Sequence, residues 1–179
     1  LIQSFQKGYT ILMRRLRTQG VRTTLLWVYA RGVPKITGIP MARYSQITEQ
    51  IYVGAQHRKL GKQRLKTWGV TGIVNLRIEY DDAAHGLTVE HYCYLPTIDD
   101  DAPTLEHLYE GVAFIKDIMK AGGNVYIHCA GGIGRAPTMA VAYMVCTGFS
   151  VDDAIQIIKR TRPFINIMPV QMAQLHKLE

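Results

Sequence analysis

Residues 124–146 read NVYIHCAGGIGRAPTMAVAYMVC and hold the transition that decides the fold. The run 124–128 is short, apolar and rich in β-branched and aromatic residues, which predicts a buried strand. Residues 137–146 are small and apolar with no breaker before Gly148, which predicts a helix. Cys129, Ala130, Gly131, Gly132, Ile133, Gly134 and Arg135 join the two. A glycine-rich turn that opens a helix aims successive backbone N–H groups inward, at the positive end of the helix, and a phosphate fits there. The same field favours the thiolate of Cys129, the reactive form of that side chain. Arg135 can hold two phosphoryl oxygens at once and follow their charge into a transition state. His128 reads as a strand-end residue that orients the loop through hydrogen bonds, not as a general base.

Outward from this centre, short apolar runs alternate with periodic segments. Residues 47–54 predict an edge or hairpin strand, 72–76 a short buried strand, and 91–95 a strand closed by Pro96. A basic amphipathic helix is predicted over 58–68. Leu105, Leu108, Val112, Ile115 and Met119 recur at spacings of three and four, predicting a helix over 104–120 that Gly122 and Gly123 stop. Ser150 with Asp153 resembles a capping box for a helix reaching about residue 159, and Pro169 starts a last helix carrying Met172 and Leu175. Strands alternating with helices imply an α/β layer fold with a mostly parallel sheet.

Attack of a thiolate on a phosphomonoester needs an acid to protonate the departing oxygen. About thirty residues before Cys129, Thr97-Ile98-Asp99-Asp100-Asp101 lies in a loop just ahead of the long helix. One of these aspartates can serve as the acid, and then as the base that activates water. Asp100 and Asp101 fit a solvated turn and helix-start charge.

The 179 residues are 47% hydrophobic and 20% charged, which excludes disordered, collagen-like and coiled-coil chains. The longest run without an ionisable charge, residues 136–151, is shorter than the roughly 20 residues of a bilayer span. Cys93, Cys129 and Cys146 fit neither a disulfide framework nor a zinc site, so a reducing compartment such as the cytoplasm is expected, with association at a membrane periphery left open. The formal charge of +7 is unevenly placed. Residues 1–48 hold Lys7, Arg14, Arg15, Arg17, Arg22, Arg31, Lys35 and Arg43 with no acid, and all 14 acidic residues follow. The chain therefore divides into a basic amphipathic arm, residues 1–43, and a near-neutral domain, residues 44–179. Two readings of the arm stand side by side: it lies on an anionic membrane surface, or it packs its apolar side on the domain. Nucleic-acid binding is not expected, because no recognition motif accompanies the arginines.

From about residue 44 to 175 these residues resemble the cysteine-dependent protein tyrosine phosphatase superfamily, in its small dual-specificity branch. Besides the 128–135 signature, the likeness rests on ITEQIYVGA, on LPTID, and on Arg162-Pro163-Phe164-Ile165-Asn166 with Gln174 and Leu175. It implies a sheet of about five strands flanked by helices, a shallow pocket, a phosphocysteine intermediate, and no metal or cofactor. In that branch the acid lies six residues before a leucine of the next helix, which selects Asp99 ahead of Leu105. Many members carry Ser or Thr directly after the loop arginine; Ala136 stands there, which implies slow breakdown of the phosphoenzyme. The run GRAPT is similar to the loops of plant glucan phosphatases. The run IEYDD, Ile78 to Asp82, together with LPTID, is similar to the mitochondrial phosphatase of phosphatidylglycerophosphate. The expected substrate is thus phosphoprotein (phosphotyrosine and phosphoserine or phosphothreonine), with an anionic phospholipid or phosphoglucan as the alternative and a non-catalytic phosphate-binding module as a further one. Cys93 is an expected core thiol or a disulfide partner of oxidised Cys129.

Overall fold

In the computed structural model, which describes residues 2–179 with side chains from Tyr9 onward, four strands make one parallel sheet. They are β1 (Ile51–Gly54), β2 (Val70–Arg77), β3 (His91–Thr97) and β4 (Asn124–His128), in the order β1-β4-β2-β3. The helices are α1 (Ile2–Thr37), α2 (Lys59–Thr67), α3 (Leu105–Lys120), α4 (Arg135–Val145), α5 (Val151–Thr161) and α6 (Pro169–Leu175). Lys7 of the arm lies outside the described side chains.

Alternation along the strands sorts the two faces. Ile51, Val53, Val74, Leu76, Val125 and Ile127 join the main core with α3, α4 and α5, while Tyr52, Ile73 and Tyr126 pack with Leu65 of α2 on the other side. The chain moves outward from β1 to β2 and β3, then returns to insert β4 between β1 and β2. The carboxyl end of β4 is therefore a switch point where loops diverge and a crevice opens, the usual ligand position in parallel sheets. Period-two alternation also splits its last residues: His128 turns toward the α2 side and Cys129 toward the α4 side.

Two expectations are corrected. The sheet has four strands among the described residues, and β1 is shorter than the 47–54 expected of it because residues 47–50 bend instead of extending it. Thr48 Oγ1 accepts from the Ile51 N–H at 3.1 Å, the Ile47 N–H donates to the Ile51 carbonyl at 2.8 Å, and just ahead of the bend Gln46 makes one antiparallel bridge to Tyr52. Strand β3 runs through Pro96, which an edge strand tolerates because the missing donor is not required by a second neighbour. Helix starts follow their caps: Thr104 accepts from His107 N–H at 3.1 Å and Ser150 from Asp153 N–H at 3.1 Å.

The arm packs on the domain. Helix α1 breaks at Gly20, whose φ of 79° and ψ of 168° lie in a region essentially reserved for glycine. Beyond the break, Trp27 and Ala30 are buried against Phe164, with Tyr44 and the loop residue Ile133 beside them. Before it, Arg15 is buried, donates to the Phe164 carbonyl at 3.1 Å and stacks on Trp27 at 4.6 Å. Only part of the apolar surface is used: Val21, Leu25, Val28, Tyr29 and Ile36 stay exposed.

Candidate active site

Three outward anchors set the loop between β4 and α4. The Gly132 carbonyl accepts from Arg162 Nε at 3.2 Å and Nη2 at 2.9 Å, the Ile133 carbonyl accepts from Asn166 N–H at 2.9 Å, and the Ala130 carbonyl from Gln56 N–H at 3.5 Å. In a planar trans peptide the next residue's N–H points opposite its carbonyl, so the N–H groups of Gly131, Ile133 and Gly134 face inward. Gly132 has φ 64°, and a Cβ there would lie 2.5 Å from the Gly54 carbonyl group, so glycine is required on both counts. Its N–H donates to Cys129 Sγ at 3.2 Å.

Two guanidinium groups flank this sulfur. Arg162 is fully buried and also bonds the Tyr44 carbonyl. Burial pulls its pKa down to about 10, against the opposing pull of Tyr126 and Cys129. Arg135 is 1% exposed, and its Nη1 donates to the carbonyls of Thr97 at 2.8 Å and Leu76 at 3.2 Å. Glu79 grips both terminal nitrogens at 3.0 and 3.1 Å, and Asp99 Oδ1 lies 2.7 Å from Nη2. Burial works against charge on Arg135, but the Glu79 bond and the Cys129 and Asp99 charges outweigh it and raise its pKa. Burial would likewise raise Glu79, yet Arg135 and Arg77 hold its carboxyl down to about 2. Arg135 Nε, by contrast, is buried with no partner. A buried donor left unmade is costly, and an oxyanion cradled by the loop would satisfy it.

His128 is buried and its Nε2 bonds Asp82 Oδ2 at 2.8 Å. Gln56 Nε2 donates to the other Asp82 oxygen at 2.7 Å. Burial would raise the Asp82 pKa, but the His128 hydrogen bond and both histidine charges lower it. His57, 3.9 Å from Asp82, is pushed down to about 4, chiefly by burial and then by His128, so it is neutral near pH 7. These three side chains could in principle ligate a metal, their ligand atoms lying within 4.8 Å of one another. Their bonds point to a hydrogen-bonded strut instead, since His57 Nε2 also bonds the Leu87 carbonyl at 2.8 Å.

The loop expected to carry the acid, residues 98–104, follows β3. Asp99 is well exposed, Asp100 takes a left-handed φ of 63°, and the Asp101 carbonyl accepts from Gln171 Nε2 at 2.8 Å. Gln171 is fully buried and lies 3.4 Å from the Cβ position of Gly134, so one amide spans the acid loop and the phosphate loop. Gln174 adds a bond to the Pro103 carbonyl at 3.2 Å. The thiol, guanidinium and carboxylate singled out above thus meet in one place, with Ala130, Gly131, Gly132, Ile133 and Gly134 wrapped around it.

Cys93 does not join them. It pairs with Val74, which pairs with Ile127, so two strand spacings, roughly 10 Å, separate it from β4. A disulfide needs Cα atoms within about 7 Å, so the expected link to Cys129 is not available without backbone movement. Burial, then Glu110, pushes the Cys93 thiol up to about 12.

A family model described as "Dual specificity phosphatase, catalytic domain" matches residues 51–179. The chain belongs to this family. Human "Phosphatidylglycerophosphatase and protein-tyrosine phosphatase 1" is 31% identical over 161 residues, covering 83% of this chain and 79% of that one. Human "Dual specificity protein phosphatase 1" is 29% identical over 138 residues, 75% of this chain, and the chain spans 36% of its length. The crystal structure of PTPMT1 is similar with a TM-score of 0.68 at 30% identity, covering 75% of this chain and 92% of that one. PTPMT1 in complex with PI(5)P gives 0.67 at 29% identity, covering 74% and 91%.

Within this dual specificity phosphatase domain, sequence reading missed Glu79, Asp82, Arg162 and Gln171 as site residues. IEYDD and RPFIN flagged the first three as motif members, but their roles depend on partners 56, 46 and 30 residues away. Nothing in the sequence marked Gln171. Asn at position 99 carries no acidic proton and leaves the loop's anchors intact. Asp99→Asn is expected to lower kcat by about 10²–10³ on alkyl phosphates and far less on para-nitrophenyl phosphate, whose leaving oxygen needs little protonation. Equal losses on both would remove Asp99 from the acid role.

Proposed function

We propose that this domain hydrolyses phosphomonoesters through a phosphocysteine. The observation that carries the reading is the buried, unpartnered Nε of Arg135, in a guanidinium that feels the charge of Cys129, at the head of a loop whose Gly132 N–H donates to that sulfur. The phosphoryl oxygens bind those donors, and Sγ attacks phosphorus in line. As the S–P bond forms the ester P–O bond breaks, and the leaving oxygen takes a proton from Asp99. Asp99, now a carboxylate, draws a proton from water. The resulting hydroxide attacks phosphorus, the S–P bond breaks, and inorganic phosphate and the thiolate are released.

Helix α4 brings no free hydroxyl to help the sulfur leave. Ala136 follows Arg135, and the Thr138 hydroxyl donates back to the Gly134 carbonyl at 3.0 Å. Breakdown of the phosphoenzyme is therefore slow. Rapid mixing with para-nitrophenyl phosphate is expected to give a burst of nitrophenol of one equivalent per chain, with the phosphoryl group trapped by acid quench on the peptide bearing Cys129. Phosphate recovered on no cysteine would overturn the mechanism.

For the substrate, the arm favours the phosphorylated headgroup of an anionic lipid over phosphoprotein or phosphoglucan. The exposed Val21, Leu25, Val28, Tyr29 and Ile36 share helix α1 with the exposed Arg14, Arg17 and Arg22, the combination that settles on an anionic surface. No described helix is long and apolar enough to cross a membrane. The name of the human relative gives a phosphatidylglycerophosphatase and a protein-tyrosine phosphatase activity together, which keeps both substrates in the comparison. A turnover panel of phosphatidylglycerophosphate, phosphopeptides and phosphoglucan tests it, with the lipid expected first.

A further inference from the structure

Between Cys129 and Arg135 the phosphate loop carries one side chain larger than a methyl group, that of Ile133. It packs into a cluster with Trp27, Ala30 and Phe164. Trp27 belongs to the arm, outside the residues that the family model matches, and is 9% exposed. Its indole N–H is buried with no hydrogen-bond partner among the described residues, so the ring acts there through its area and its flat faces.

The same ring reaches the loop by a second route. Phe164 is fully buried, and the Arg162 guanidinium sits 4.9 Å from its ring centroid. Arg162 holds the Gly132 carbonyl, and two residues past Phe164 the Asn166 N–H holds the Ile133 carbonyl. The arm grips the residues between these two anchors: Arg15 Nη1 donates to the Phe164 carbonyl at 3.1 Å and Gln19 Nε2 to the Ile165 carbonyl at 3.4 Å. Arg15 also stacks on Trp27 at 4.6 Å, so the two parts of α1, on either side of Gly20, meet over this segment. A run of glycines holds no conformation by itself, and its N–H groups stay aimed at a dianion only while its carbonyls are held outward.

We propose that Trp27 is a positioning residue for the phosphate loop, packed with Ile133 and Phe164 so that Arg162 and Asn166 keep the loop N–H groups facing the phosphate. This rests on the phosphatase reading above. The arm is thereby part of the catalytic unit and not a detachable anchor. Its buried residues Thr24, Trp27, Ala30 and Pro34 recur every three or four positions, and the exposed Val21, Leu25 and Val28 turn to the other side of the helix. The seat on the loop and the exposed apolar side therefore do not compete. Removing the indole leaves a void against Ile133 and Phe164, into which a glycine loop relaxes more readily than a helix or strand does.

Calorimetry of the full chain with tungstate reads the aim of the loop as Kd and the folded fraction as stoichiometry. Trp27→Ala is expected to weaken Kd about tenfold at unchanged stoichiometry, and to lower kcat on para-nitrophenyl phosphate by about tenfold. Trp27→Phe keeps a flat ring in the seat and is expected to restore both to within about threefold, while Leu25→Ala, on the exposed side, changes neither by more than about twofold. An unchanged Kd in Trp27→Ala, or a loss confined to stoichiometry, overturns the proposal and leaves Trp27 a packing residue of the fold. Where Trp27→Ala yields no folded protein, Trp68→Phe gives a second reading. The chain has two tryptophans, and Trp68 stacks on Tyr52 in the cluster on the α2 side of the sheet, so this variant leaves Trp27 as the sole indole reporter. Tungstate is expected to shift its emission with a midpoint equal to the Kd, and emission unmoved at saturation overturns the proposal. A wild type that binds tungstate but does not turn over para-nitrophenyl phosphate overturns the phosphatase reading instead, and the Kd still tests Trp27.

Discussion

Cys129→Ser is expected to reduce turnover of para-nitrophenyl phosphate by roughly five orders of magnitude or more, the scale seen when a covalent nucleophile is removed. The alcohol is far less acidic than the thiol, so at neutral pH almost none of it is the anion that attacks. Binding is expected to survive. The donors to a phosphate are Arg135 and the loop N–H groups, and the anchors that aim them, Arg162 to Gly132 and Asn166 to Ile133, do not pass through the sulfur. Tungstate affinity measured by calorimetry should therefore stay within a few-fold of the wild type. Comparable turnover in both proteins would exclude the thiol mechanism, and loss of tungstate binding would show that the sulfur shapes the loop.

Arg135→Lys is expected to fail differently, losing affinity and rate together. Arg135 uses Nη1 for the Leu76 and Thr97 carbonyls, shares both terminal nitrogens with Glu79, meets Asp99 through Nη2, and keeps Nε for the ligand. A lysine ammonium has three donors on one atom and cannot hold the carbonyl anchors and a phosphate oxygen at once. Nor can it follow two equatorial oxygens as charge builds on them. Loss of one such stabilising group costs about 10²–10³ in kcat. Tungstate affinity is expected to fall alongside it, roughly tenfold. Steady-state kinetics with tungstate competition checks both, and a kcat within threefold of the wild type would remove Arg135 from transition-state binding.

These expectations were legible in the sequence to different degrees. Cys129, Arg135 and the glycines between them are contiguous, so strand, turn and helix signals declare their geometry without long-range information. The caps at Thr104 and Ser150 are local for the same reason. Residues 47–50 show the limit of local pattern: a segment, Ile-Thr-Glu-Gln, that could extend the strand after it bends where the Thr48 side chain captures the Ile51 N–H. The arm shows it again. Its composition suited both a membrane surface and a packed helix, and the break at Gly20 lets one helix bury Trp27 and Arg15 while leaving Val21 and Leu25 in solvent.

The sequence alone determined the glycine turn from Cys129 to Arg135, together with the alternation of strands and helices that carries it, because hydrogen-bond caps, glycine dihedrals and side-chain period act over a few residues. Only the tertiary structure decided what steadies that loop: Glu79 on Arg135, Asp82 on His128, Arg162 on Gly132, and Gln171 on Asp101. Each joins residues 30 or more positions apart. A buried charge or amide finds its partner through the order in which strands are laid into the sheet, and that order is a property of the whole chain.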